Sequence, residues 1–134
     1  MHIWEEITFL YSYIYLIEIR YEDTVRIDVD SKLIEDNDGY IPPICLQLLV
    51  ENAIKHNQFS ASNPLMIRIY KENDWIVVEN ALHPVVSELA STGIGHQNIA
   101  GRYILLCQKK PVIAKSKELY QVKLPVIYNE LCPY

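Results

Sequence analysis

Apolar residues recur along the first part of the chain at alternating intervals of four and three. Ile3, Ile7, Leu10, Ile14, Ile17 and Tyr21 form this series, and neither Gly nor Pro occurs before position 39. The spacing predicts a helix from about residue 3 to 21, roughly 28 Å long, with a heptad seam of nearly three repeats. Glu5, Glu6, Glu18 and Arg20 lie off the seam, and Phe9, Tyr13 and Leu16 lie on another face. Such a seam can pack on its own domain or belong to a helical dimerisation stalk. The period then changes. "VRIDVD" (25–30) alternates apolar and polar and predicts a half-buried strand. "EDNDGY" (35–40) reads as a turn, and "IPP" (41–43) favours extended backbone before a helix that begins near Pro43 and runs to about residue 57.

Beyond a loop at 58–64, "LMIRIYK" and "WIVVEN" flank "ENDW" and predict a hairpin. Residues 81–95 hold Pro, Ser, Thr and two Gly with little period and read as a loop. "HQNIAGRYILLCQ" (96–108) reads as a helix in spite of Gly101, and "KPVIAKS" with "LYQVKLPVI" as a closing hairpin. Strands and helices do not alternate singly, which disfavours a doubly wound parallel sheet. The expected class is α+β, a two-layer sandwich with a mixed sheet and helices on one face.

The totals narrow the function. The chain has 134 residues, half of them hydrophobic, which suits one domain with a real core. A net charge of −5 argues against general nucleic-acid binding, which needs clustered Lys and Arg. It leaves room for a small anion held by a few local donors. Cys45, Cys107 and Cys132 lack metal-ligand spacing and suggest packed thiols in a reducing compartment. No apolar run is long enough for a membrane span, and no signal peptide is expected.

The second helix carries an unusual group of polar residues in "LVENAIKHN" (49–57). With Glu51 as origin and a step of 100° per residue, Lys55 falls at about 40°, Asn52 at about 100° and His56 at about 140°. Leu46, Leu49, Val50 and Ala53 occupy the arc between about 160° and 260°. The apolar arc can lie on the sheet while the four polar groups face away. A solvated face with a Glu51–Lys55 pair accounts for this pattern without any function. Asn52, however, is a mediocre helix former that brings a neutral oxygen, the ligand type a hard cation such as Mg²⁺ accepts beside phosphate oxygens. Lys55 can meet a phosphate, and Glu51 can orient a water or accept a proton. "STGIGHQN" (91–98) places Gly93 and Gly95 at a helix entry, where free amides favour phosphate, although a plain helix start explains it equally well. Asn80 ends the "WIVVEN" strand, where a carboxamide can read a purine amino edge or simply occupy a turn.

Taken in order, "IPPICLQLLVENAIKHN", "VVEN", "STGIGHQNIAGRYILL" and "VKLP" resemble the ATP-binding domain of sensor histidine kinases, and within these the LytS-like branch of the GHKL superfamily. The leading "EEITFLYSYIYLIEIRY" also resembles that branch, and the similarity covers about residues 3–127. It implies a GHKL (Bergerat) fold divided into a linker helix at 1–23, a catalytic domain at 24–128 and a tail at 129–134. It also implies Asn52 as the Mg²⁺ ligand, with Glu51 positioning or activating the reacting group. Lys55 would contact phosphate, His56 would border the nucleotide and Asn80 would contact adenine. Gly93, Gly95 and Asn98 belong to the "GIGxxN" glycine box beside the triphosphate, and residues 81–92 would form a lid. The implied activity is transfer of the γ-phosphoryl group of ATP to a histidine and then to a response regulator. Implied partners are ATP, the phosphoacceptor helix of the same kinase dimer and the cognate regulator, with homodimerisation through the first helix and no nucleic acid. The implied setting is the cytoplasmic side of a protein anchored in the cytoplasmic membrane by upstream segments.

The chain departs from the pattern in places. "ALHP" follows Asn80, so the glycines of a DxGxG box are absent, and His96 stands where an aliphatic residue is usual. Leu48 occupies the position of a second metal-binding Asn found in conventional sensor kinases. No "NPHF"-like motif is present, so His2, His56 and His83 are not expected to be phosphoacceptors and the chain is read as a catalytic part. A GHKL ATPase and a degenerate GHKL domain serving as a dimerisation or interaction module remain as alternatives.

Overall fold

The computed structural model describes residues 2–35, 39–42, 44–81, 111–116 and 118–128. The expected loop at 81–95 (apart from Ala81), the helix at 96–108 and the tail at 129–134 lie outside the described residues. Eight elements follow in chain order. They are α1 (Ile3–Arg20), β1 (Val25–Val29), α2 (Lys32–Glu35), α3 (Cys45–Lys55), β2 (Leu65–Glu72), β3 (Trp75–Ala81), β4 (Val112–Lys115) and β5 (Leu119–Pro125). They make the α+β two-layer arrangement expected from the pattern, a five-stranded mixed sheet in the order β1-β2-β3-β5-β4 with helices on one side. β1 and β2 are parallel, and the other pairs are antiparallel.

Register assigns the two faces. Ile67 faces Asn80, Ile69 faces Val78, and Val78 faces Val122. Residues opposite one another share a side of the sheet. Leu65, Ile67, Ile69, Ile76, Val78, Val122 and Leu124 are therefore one buried face, and it meets Leu46, Leu49, Val50 and Ala53 of α3 in the core. The other face carries a polar network. Tyr70 donates its hydroxyl to Glu79 Oε1 at 2.5 Å, and Gln121 Nε2 donates to the same oxygen at 3.0 Å. Arg68 lies 3.7 Å from Glu79 Oε2. Burial, together with the Glu79 carboxylate, pushes the Tyr70 phenol up to about 12.

The heptad seam of α1 is spent inside the domain. Ile3, Ile7, Leu10, Ile14 and Ile17 are all buried in the common core. The helix starts where the His2 amide donates to Glu5 Oε1 at 3.2 Å, and its acidic first turn and Arg20 in the last turn suit the helix dipole. α2 was not expected, because four residues are too few for a period. Its local signal is Asp30, whose Oδ1 accepts from the Lys32 amide at 3.0 Å and which leads buried Leu33 into the core.

α3 begins later than expected, at Cys45 rather than near Pro43, and ends at Lys55. The residue before it, Ile44, has left-handed backbone (φ 67°) and no capping side chain of its own. A branched residue in this conformation costs about 1–2 kcal/mol. The cap comes from elsewhere. Glu6 of α1 accepts from the Ile44 amide at 3.0 Å and from the Leu46 amide at 3.3 Å. Glu6 lay off the predicted seam, yet it is only 3% exposed, because its carboxylate neutralises the amide-rich start of α3. At the far end, Asn57 Nδ2 donates to the Ala53 carbonyl at 2.8 Å and closes the last turn.

Residues 39–41 tie α1 to the end of β5. Tyr40 exchanges backbone hydrogen bonds with Ile127 at 2.8 and 2.9 Å, and the Ile3 amide donates to Gly39 O at 3.4 Å. Gly39 has φ +106°, and a Cβ there would stand 2.3 Å from Val126 Cγ1, so only glycine allows the approach.

Removing the distant cap leaves two helix-start amides without their acceptor, at a cost of about 1–3 kcal/mol. Glu6→Ala is expected to lower the free energy of unfolding by that amount, read as a lower urea midpoint at unchanged m. An unchanged midpoint would show that the carboxylate does not hold α3.

Candidate functional site

The placement of the polar group on α3 follows from how the helix is tethered. Its start lies near Tyr40, which bridges Ile127 just past β5, and Pro125 of β5 pairs with Trp75 at the beginning of β3. Its end leads to Phe59, whose ring meets Tyr21 edge-on at 5.5 Å between centroids. Tyr21 O accepts from Thr24 N, and Thr24 O accepts from Leu65 N at the start of β2. Leu65 precedes Ile67, the partner of Asn80, by two residues. α3 therefore runs from the Trp75 end of the sheet to the Asn80 end. The last turns of α3, with Asn52, Lys55 and His56, thus lie toward the same end of the sheet as Asn80, where the chain leaves β3 toward the expected lid.

Glu51 and Lys55 are exposed, and Asn52 and His56 are half-buried, in line with their angular distance from the apolar arc. The Glu51–Lys55 pair that a plain solvated face would use is absent among the described ion pairs. Glu51 instead accepts from Gln47 Nε2 at 3.3 Å. It also lies beside Tyr13 of α1. Burial first, then the negative charge and hydrogen bonding of Glu51, push the Tyr13 phenol up to about 12. Glu51 thus faces away from the sheet as expected, and Tyr13 is a neighbour that no pattern in the sequence singles out. Among the described residues no hydrogen bond engages the Asn52 carboxamide and no ion pair engages Lys55. Burial and the Lys55 charge together hold the His56 imidazole below its usual range, and its Nδ1 is buried.

Asn80 is 3% exposed and sits on the helix-facing side of β3, between Ile67 and Tyr120. Its Nδ2 donates to the Ala81 carbonyl at 2.8 Å, which fixes the amide and leaves Oδ1 as the end suited to accept from an amino group. Tyr120 was not singled out by motif. It shares this face with Asn80, and burial raises its phenol pKa. Its only signal in the sequence is the alternation of "LYQVKLP". Gly93, Gly95, Asn98 and His96 lie outside the described residues. Among the described residues no group of three His, Cys, Asp or Glu is placed to hold a metal ion, and no helix is long and apolar enough to cross a membrane.

No protein-family description matches the chain, and no curated protein matches it. Among solved structures the chain is similar to the Acinetobacter baumannii histidine kinase AdeS, with a TM-score of 0.49 and 12% sequence identity. The match covers 90% of this chain and 63% of that one. The likeness concerns overall shape, and no chemistry of this chain follows from it.

His56 offers a direct check of the local electrostatics. Its folded pKa lies below the ordinary value of about 6.5, so the unfolded chain binds this proton more readily. Its contribution to stability is thus full above about pH 6.5 and lost as pH falls through the folded pKa. NMR titration of the ring nitrogens is expected to place the midpoint below 6.5, and Lys55→Ala to move it up. A wild-type midpoint at or above the ordinary value would contradict the assigned environment.

Proposed function

We propose that this chain is the ATP-binding catalytic domain of a sensor histidine kinase, of the LytS-like GHKL kind. What supports the reading most is the placement, toward one end of the helix-covered face, of the Asn52 carboxamide and the Lys55 ammonium, neither engaged by a side-chain partner among the described residues, and of an oriented Asn80 amide. A nucleotide offers a complement to each: a phosphate-bound cation, phosphate oxygens and an exocyclic amino group.

The donor set fits Mg²⁺ in its usual role. One neutral oxygen, from Asn52, is enough where phosphates and waters complete the shell. The ion would supply charge neutralisation to the phosphates. Lys55 would hold phosphate oxygens, Asn80 Oδ1 would accept from the adenine amino group, and Gly93, Gly95 and Asn98 would line the triphosphate. His56, held neutral, would border the nucleotide without adding charge. Glu51 would orient the incoming histidine or accept its proton, and its bond to Gln47 and its place beside Tyr13 limit where the carboxylate can reach. Catalysis of phosphoryl transfer rests on such positioning and charge neutralisation. The accepting histidine, the regulator that receives the group next and any membrane anchor would belong to other segments or proteins.

Calorimetric titration tests the assignment. The wild-type chain is expected to bind ATP in a magnesium-dependent manner, Asn52→Ala to lose the magnesium dependence, and Lys55→Ala to bind roughly ten- to a hundredfold more weakly. Incubation with γ-labelled ATP is expected to leave no stable phosphohistidine on the chain. No heat with ATP and magnesium would favour a pure interaction module, and sustained phosphate release without an acceptor would favour an ATPase.

A further inference from the structure

The outer edge of β1 is open among the described residues. β1 is the first strand of the sheet and pairs only with β2. Thr24 O accepts from Leu65 N, and Asp30 N donates to Ile69 O. Both even-numbered residues turn their backbone groups toward β2, and the groups alternate along a strand. Val25, Ile27 and Val29 therefore present their N–H and C=O groups outward. Beside them runs a groove of about 610 Å³ lined by Glu18, Glu22, Asp23, Arg26, Asp28 and Met66, among others. Exposed edges of this kind are templates for another strand.

The edge is also self-complementary. "VRIDV" read antiparallel to itself about Ile27 sets Val25 against Val29, Ile27 against its own copy, and Arg26 against Asp28 twice. The outward backbone groups of positions 25, 27 and 29 then meet their own counterparts, as an antiparallel ladder requires.

α1 extends the surface. Glu18 lines the groove, and Tyr11 and Tyr15 share its stripe at intervals of four and three, so this stripe lies on the β1 side of the helix. Tyr11 is 43%, Tyr15 66% and Ile19 56% exposed. With the edge strand they offer on the order of 600 Å² per partner, enough for a weak specific interface of about 1,200 Å² in total.

We propose that two copies of this chain associate through β1, antiparallel about Ile27, so that the two five-stranded sheets become continuous and the α1 stripes meet above the seam. The groove's excess of carboxylates would also attract a basic extended peptide. The charge symmetry about Ile27 favours the second copy, because a random edge has no reason to place opposite charges at equal distances from one residue. This dimer is independent of the nucleotide reading and uses a flank of α1 beside the buried seam.

Sedimentation velocity over a concentration series tests it, with circular dichroism to check folding. The wild type is expected to show reversible dimerisation. Arg26→Asp alone and Asp28→Arg alone are each expected to weaken self-association at least roughly tenfold, because like charges then oppose each other twice. An equimolar mixture of these two variants restores both pairs and is expected to dimerise, as is the doubly swapped chain. Ile27→Pro removes an outward N–H without touching the ladder to β2 and is expected to be monomeric. A wild type that stays monomeric throughout the series, including one that instead binds an arginine-rich peptide, overturns the proposal. So does a dimer that both charge variants and Ile27→Pro leave unchanged.

Discussion

The Glu6 carboxylate, buried against the first amides of α3, is the contact on which the placement of everything else depends. A helix start needs acceptors for its free amides, and the local sequence supplies none: Ile44 has no side-chain oxygen and sits in a left-handed conformation. The acceptor arrives from 38 positions earlier in the chain. Left-handed backbone in a branched residue persists only where its surroundings over-determine it. Here those surroundings are Glu6 on one side and the Tyr40–Ile127 bridge on the other. With its start pinned, α3 can deliver Asn52, Lys55 and His56 only to the Asn80 end of the sheet.

The sheet has one dry side. Val25, Leu65, Ile67, Ile69 and Val78 face the helices, while Arg68, Tyr70, Glu79 and Gln121 interlock on the other face. Among the described residues that network satisfies the polar groups of the open face without a second layer of helices. α1 has the reverse problem. Its seam feeds the core, yet Phe9, Tyr15, Leu16 and Ile19 remain more than half exposed. An amphipathic helix normally keeps charge on its outer side, and this one keeps aromatic and aliphatic side chains there.

Much of the fold was legible in the sequence because its signals are periodic. The seam of α1, the alternation in β1, the hairpin around Asn73 and Asp74 and the apolar arc of α3 all sit where pattern placed them. The misses have physical causes. α2 is too short to show a period, and the late start of α3 depends on a carboxylate that no local window contains. The pairing of Glu51 with Gln47 and its proximity to Tyr13, rather than with Lys55, is a tertiary choice between near-equal partners that spacing alone cannot rank. For the candidate site, the identity of the polar residues was readable. Their grouping about one ligand came only from the family resemblance, because no local pattern carries the direction α3 takes across the sheet.

The parallel pairing of β1 with β2 has a kinetic side. Val25 lies opposite Leu65, 40 positions along the chain, with α2 and α3 folded in between. The β2–β3 hairpin closes through two residues, with Asn73 already left-handed at φ 54°. Closing the long excursion costs entropy before any contact rewards it, whereas the hairpin closes almost for free. Loop closure alone thus favours forming the β2–β3 hairpin before the β1 rim joins it. The order in which the strands join is written into the lengths of their connections.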